Sequence, residues 1–219
     1  MKAGYGKRVA LCVAGLMLYA LGNFFGVIAG SAGTNAWNTL SIGLSGSLNI
    51  SFGTASFVIS LAIILVDLVF KGKLGLGTVM NVVLISIFSD WMLAALTFLP
   101  VAEGGLLGVV YTLIGQVVLG FATIVYMTPG LGCGPRDTLM LIIGKKFPKA
   151  PIGGVKFGIE VCVLVIGVIM GAPFGLGTVL VMALQASIFQ AVCRITRYEP
   201  RDIRHEDLAE TARKLLKKA

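Results

Sequence analysis

Charge is what this sequence has least of. Lys, Arg, Asp and Glu make up 13% of its 219 residues, about half the share of an ordinary soluble domain. No Lys, Arg, His, Asp or Glu occurs in residues 9–66, 104–135 or 161–193. A soluble chain could not cover its apolar surface with so little polar material, whereas a lipid-embedded one need not. Histidine is nearly absent as well. The single copy, His205, stands in the polar tail, so a serine within the apolar runs has no imidazole base to activate it. The Gly43-Leu44-Ser45-Gly46 string, which matches a rhomboid-protease signature, is therefore read as coincidence. The four cysteines, Cys12, Cys133, Cys162 and Cys193, form no C-x-x-C pair, and three sit inside apolar runs. They read as small hydrophobes without disulfide or metal. No zinc-protease helix motif, phosphate-binding loop or dinucleotide fingerprint is present. The expectation is a protein that is not an enzyme, with no cofactor and no metal.

What the chain does have is long apolar runs. Six of them, at residues 9–29, 52–70, 77–98, 106–127, 155–170 and 176–195, are long enough to cross a hydrocarbon core of about 30 Å. The fifth is the shortest and begins with charge. All 18 Lys and Arg fall at the N-terminus, around Lys71 and Lys73, in or beside the connection between the fourth and fifth runs, or at and beyond the end of the sixth. The alternate connections carry none. By the positive-inside rule both termini are expected to be cytoplasmic. The net charge of +8 then reports topology and attraction to anionic lipid heads, with no nucleic-acid partner.

The halves repeat at an offset near 100. Gly75-Leu76-Gly77-Thr78-Val79 recurs as Gly175-Leu176-Gly177-Thr178-Val179, Phe57 matches Phe157, and Asn38-Thr39-Leu40 matches Asp137-Thr138-Leu139. Three spans per half is an odd number, so the second copy enters the bilayer upside down, as in many secondary transporters. The expected fold is an all-α membrane protein of six transmembrane helices in two inverted three-helix repeats. Residues 1–104 form the first repeat, 105–196 the second, and 197–219 a cytoplasmic basic amphipathic tail. The segments at 35–49 and 135–147 are too short to span. Each opens on a helix-start signal, Thr34 or Asn35 in one and Pro135 in the other, and each reads as a short helix that is re-entrant or interfacial.

The second of these segments, Gly132-Cys133-Gly134-Pro135-Arg136-Asp137-Thr138-Leu139, resembles the YczE/YyaS/YitT family of bacterial integral membrane proteins, which carries Gly-x-Gly-Pro-Arg-Asp-x-Leu in its second half. That family's first half has a related Ser-Pro-Trp-Asp-x-Leu stretch. Here Asn35-Ala36-Trp37-Asn38 keeps the Trp but has Ala for Pro and Asn for Asp. The resemblance extends to about Ile195. It implies location, in a bacterial cytoplasmic membrane, and architecture and, the family being largely uncharacterised, little about activity.

Ionisable side chains at bilayer depth are costly and point to function. Glu160 and Lys156 share a face of the fifth span, where the first repeat has Ser60 and Ser56. Asp90 falls about 20 Å along the third span. The candidate solute site comprises Trp37, Asn38, Arg136, Asp137, Glu160 and Lys156, with Asp90 and Glu160 as candidate proton or ion couplers. Asp67 reads as interfacial, one turn from Lys71. Asn23, Gln116, Gln185 and Gln190 read as helix–helix glue. The ridges Gly22-x3-Gly26-x3-Gly30 and Gly167-x3-Gly171-x3-Gly175 allow close helix packing, within the chain or in a homo-oligomer. The expected partners are the lipid bilayer and an unidentified small solute. Two functions compete: a small-solute secondary transporter or permease with its site at the repeat interface, and a non-transporting membrane accessory protein acting through its loops or tail.

Overall fold

Glycine, asparagine and proline break the apolar runs into eight α-helices among the described residues of a computed structural model, namely 4–70, 72, 74–149, 152–198, 206–208, 210, 211 and 213. They are α1 (Tyr5–Ile28), α2 (Ala36–Leu48), α3 (Phe52–Val69), α4 (Leu76–Ala95), α5 (Gly105–Met127), α6 (Pro135–Lys146), α7 (Ile152–Ile169) and α8 (Leu176–Thr196), with one 3₁₀ turn at Gly30–Ala32. No strand occurs among the described residues.

Five of the helices, α1, α3, α4, α5 and α8, are long and apolar enough to cross a membrane. The remaining expected span coincides with α7, which carries Lys156 and Glu160. Outward faces are apolar: Ile169 is 80% exposed and Leu106 79%. Water would oppose so much bare hydrocarbon, and lipid would solvate it.

The two short helices form where the caps place them. The Asn35 side chain accepts from the Asn38 backbone N–H at 3.0 Å and starts α2. Asn49 takes the left-handed conformation that ends it. Pro135 opens α6, where a missing N–H costs nothing, and Lys145 and Lys146 sit in its last turn, opposite the partial negative charge there.

The helices α1 and α5 cross closely because glycine faces them. A Cβ on Gly15 would lie 2.8 Å from the Tyr126 Cα, and one on Gly22 would collide with Leu119. Around this pair, α1 packs on α4 and α5 on α8, while α2 packs on α7 and α6 on α3. Of the ridge glycines, Gly22, Gly26, Gly30, Gly167 and Gly175 meet other parts of the chain, and Gly171 meets nothing within 4 Å. Gly26 faces Thr34 and Asn38, and Gly167 faces the backbone of Thr39 and Leu40.

Each Gly-Leu-Gly-Thr string docks on the glycine loop that leads into a short helix. The Gly77 N–H donates to the Leu131 carbonyl at 2.7 Å, and the Thr78 hydroxyl donates to the Cys133 carbonyl at 2.6 Å. At the other end of the bundle, Gly175 and Gly177 lie against Ser31, Ala32 and Gly33. There the Gly33 carbonyl accepts from the Thr112 hydroxyl at 2.6 Å. Loop residues Gly33 and Gly132 have φ of 78° and 132°, open to glycine and strained for other residues.

In the tail, residues 208, 210, 211 and 213 are helical. Ala212, Leu215, Leu216 and the bases Lys214, Lys217 and Lys218, on which the amphipathic expectation rests, lie outside the described residues.

Replacing Gly15 by Val forces a branched side chain into the α1–α5 contact and is expected to cost about 2 kcal/mol or more of stability. Gly46, whose Cβ would meet nothing within 4 Å, accepts Ala with no loss or a small gain. Thermal unfolding of the two variants in detergent micelles compares them directly.

Candidate functional site

Both short helices begin inside the bundle, and their first turns face a common chamber of about 480 Å³. Trp37 enters from α2, and Gly134, Pro135, Arg136 and Asp137 enter from α6. Lys156 and Glu160 of α7 line the same space, with Ser56 and Ser60 of α3, Asn81 of α4 and Gln185 of α8. Five of the seven residues expected from sequence thus converge: Trp37, Arg136, Asp137, Lys156 and Glu160.

The Arg136 guanidinium carbon lies 4.6 Å from the centre of the Trp37 ring. A cation over an indole face is held by the ring quadrupole, more strongly where water is excluded. This contact joins the two short helices directly. On the same turn of α6, the Asp137 Oδ2 accepts from the Tyr126 hydroxyl at 3.4 Å, and Tyr126 stands edge-on to Tyr19 at 6.2 Å. Glu160 is buried, with 5% of its surface exposed. One of its oxygens accepts from the Gln185 amide, and the other lies 3.9 Å from the Lys156 ammonium. The described lining residues therefore carry two cations and two anions.

The other two candidates sit elsewhere. Asn38 is buried beside Gly26 and Thr34, and its amide nitrogen has no hydrogen-bond partner among the described residues. Asp90 reaches from α4 to the start of α3, where it accepts from the Ser51 hydroxyl at 2.5 Å and the Gly53 N–H at 2.6 Å. It serves there as a helix cap supplied by a neighbouring helix.

Asp67, read as interfacial, stands in the last turn of α3. Its side chain is fully buried in the protein, and neither carboxylate oxygen has a hydrogen-bond partner among the described residues. Its backbone carbonyl accepts from the Gly72 N–H at 2.7 Å, and Lys71 lies outside the described residues.

Sequence reasoning missed Tyr19 and Tyr126 because a tyrosine in an apolar run carries no sign of which helix it will meet. Gln185 does bridge helices, as expected, and in doing so supports a chamber carboxylate. Asn23 acts as glue, its amide donating to the Ser89 hydroxyl at 3.4 Å. Burial pushes the Cys133 thiol above its ordinary range, with a hydrogen bond to Thr138 opposing the shift. A thiol so held is a poor nucleophile. No cluster of metal-ligating side chains occurs among the described residues.

Comparison with known proteins gives a family and two relatives. A family described only as a family of unknown function (DUF6198) matches residues 6–194. An uncharacterised protein of Haemophilus influenzae is 34% identical over 185 residues, covering 84% of this chain and 82% of that one. The uncharacterised membrane protein YczE of Bacillus subtilis is 30% identical over 191 residues, covering 87% of each. No solved structure matches. The five apolar helices agree with that relative's name, and the chain is a membrane protein.

The geometry makes Gln185 the amide that keeps Glu160 satisfied. Gln185→Leu is expected to cost about 1–3 kcal/mol, because it strands a buried acceptor. Adding Glu160→Gln should recover part of that loss. A double-mutant cycle on thermal stability reads the coupling, expected at about 1 kcal/mol.

Proposed function

The chain belongs to the family of unknown function DUF6198, and from that premise we propose that it is a secondary transporter of a small solute, bound in the chamber between α2 and α6. The observation that carries this reading is the meeting of two short helices, one from each half, through Arg136 and Trp37 at 4.6 Å. Helix starts inside a bundle aim free N–H groups and partial positive charge at whatever occupies the space between them.

The proposed ground plan is two inverted repeats of three spans, with α7 as the sixth. Paired packings support it. The contact of α2 with α7 has its counterpart in α6 with α3, and α1 with α4 in α5 with α8. The docking of each Gly-Leu-Gly-Thr string on a glycine loop supports it too. Rocking of one repeat against the other would open the chamber to each side in turn. The distribution of Lys and Arg supports an orientation with both termini in the cytoplasm of a bacterial cell.

Charge balance narrows the solute. With two cations and two anions among the described lining residues, a solute of net charge would leave one charge uncompensated in a poorly solvated space. A zwitterion or a strongly dipolar neutral molecule would not. In this scheme Arg136 holds a carboxylate or similar anionic group. Asp137 and Glu160 receive the positive end, and Trp37 and Tyr19 supply the apolar wall. Glu160, with Lys156 beside it, is the group we assign to a coupling ion. Asp90, already occupied by Ser51 and Gly53, is assigned to holding α3. No catalytic role, cofactor or metal enters the scheme.

Purified protein in liposomes, screened with radiolabelled small zwitterions, is expected to accumulate at least one. Arg136→Ala should weaken binding of that solute by about 30-fold or more. Asp137→Asn and Glu160→Gln should reduce its uptake, with the fold intact by circular dichroism. Unchanged uptake in both Asp137→Asn and Glu160→Gln would overturn the site assignment.

A further inference from the structure

The loop at residues 129–134 runs straight into Pro135, Arg136 and Asp137, so whatever fixes this loop fixes the chamber's charged wall. Its carbonyls are taken one after another. Pro129 accepts twice from the Arg8 guanidinium, at 2.9 and 2.7 Å. Gly130 accepts from the Glu206 N–H at 2.9 Å, and Leu131 accepts from Gly77. Cys133 accepts from Thr78. Three of these donors belong to the helical bundle. The fourth, Glu206, belongs to the tail.

The tail is held by more than that one bond. The Glu206 carboxylate pairs with Arg8 at 2.6 Å, both side chains being mostly shielded from solvent. The Leu208 N–H donates to the Leu74 carbonyl at 2.9 Å, and the Glu206 carbonyl lies against Gly75, where a Cβ would come within 2.5 Å of it. Residues 206–208 thus lie across both glycine loops at this end of the bundle, the one before α4 and the one before α6. Arg8 is the pivot, since its Nε and Nη2 donate to the Pro129 carbonyl of the loop and the same Nη2 pairs with the Glu206 carboxylate of the tail.

The opposite end has a comparable strap of different origin. There the Ala102 N–H donates to the Ile28 carbonyl at 2.8 Å, and the Ser31 hydroxyl donates to the Glu103 carbonyl at 2.9 Å. That strap is the connection between α4 and α5, anchored by a helix on each side. At the Arg8 end its place is taken by the tail, which follows α8.

We propose that residues 206–208 are a positioning strap. Docked on Arg8, Gly130 and Leu74, they hold the 129–134 loop, and their release lets Arg136 and Asp137 shift away from Trp37 and Tyr126. Glu206 and Arg8 act through the loop and touch no solute. The chamber lies toward this end of the bundle, lined by the second half of α5 and the first halves of α4 and α7, so the strap controls the nearer approach to it. The device stands whether or not the chamber carries a solute across the membrane.

The test uses two local reporters that need no solute. Cys133 stands in the loop and is half-shielded, and Trp37 reports the Arg136 contact. Cys162 and Cys193 are replaced by Ala and Trp91 by Phe. The full chain, a chain ending at Tyr198, Glu206→Gln and Glu206→Asp are then compared in micelles. N-ethylmaleimide is expected to label Cys133 about fivefold faster or more in the truncated chain, with Glu206→Gln between and Glu206→Asp near the parent. Trp37 emission should change in the same order. Cys12, buried in α1, is the control for general loosening. Equal acceleration at Cys12 and Cys133 would overturn the proposal, and so would labelling and emission that do not respond to truncation.

Discussion

A carbonyl that leaves a helix inside an apolar bundle must find a donor, and this constraint organises the whole molecule. Between α5 and α6 the chain stops being helical without leaving the bundle, and it does so again between α1 and α2. Unpaired, each freed carbonyl would cost free energy on the scale of a lost hydrogen bond or more. The fold answers with the start of another helix. Gly77 and Thr78 donate to Leu131 and Cys133, and glycine at 75 and 132 lets the two backbones touch. The repeated Gly-Leu-Gly-Thr string is in this sense a docking element. Its glycines permit the approach, and in the first copy its threonine supplies the donor.

Once those loops are satisfied, the short helices they introduce can begin within the bundle, and the chamber follows from that. Arg136 would be an expensive residue to bury alone. It is tolerated because Trp37 offers a ring face from the opposite short helix. Glu160 is tolerated because α8 brings Gln185 and its own helix brings Lys156. Charge at depth is thus matched by partners from other elements, and the partners are what draw α2, α6, α7 and α8 toward one space.

Much of this was legible in the sequence, for identifiable reasons. The short helices were readable because Asn35 and Pro135 are start signals whose physics is local, and the observed bounds fall within a residue of those expected. The convergence of Arg136, Asp137, Lys156 and Glu160 was readable because a charge set in or beside an apolar run is tolerated where it meets partners or a polar space, and a short chain has room for few such spaces. Partnerships set by helix rotation were not readable. Counting rise along α4 put Asp90 near the middle of a span, but nothing local shows that the start of α3 lies beside it. The spacing of Asp67 from Lys71 gives its depth along α3 but not the side of α3 it occupies, which faces the protein interior. Tyr126 meets Asp137 only because α5 and α6 fold back on each other. Gly130 and Leu74 show no sign in sequence of accepting from the tail.

In the proposed repeat the two halves share a plan and differ where chemistry would need them to differ. At matching positions the first half has Ser56, Ser60 and Trp37, and the second has Lys156, Glu160 and Arg136. In the proposed repeat, a duplicated scaffold would fix the backbone geometry of both halves and leave the side chains facing the chamber free to diverge. Two identical charged halves would set like charges against each other across a space with little solvent to screen them. Two identical uncharged halves would offer a polar solute nothing to orient it. Placing the charge in one half and its aromatic partner in the other avoids both, because the cation is then held by a ring that adds no charge of its own. The same logic bears on the ends of the bundle. Where α4 runs on into α5, a strap anchored by helices on both sides closes one glycine loop. Where α8 gives way to the tail, the corresponding strap rests on one shared guanidinium and two backbone hydrogen bonds, to Gly130 and Leu74, a smaller hold placed beside the charged half of the chamber.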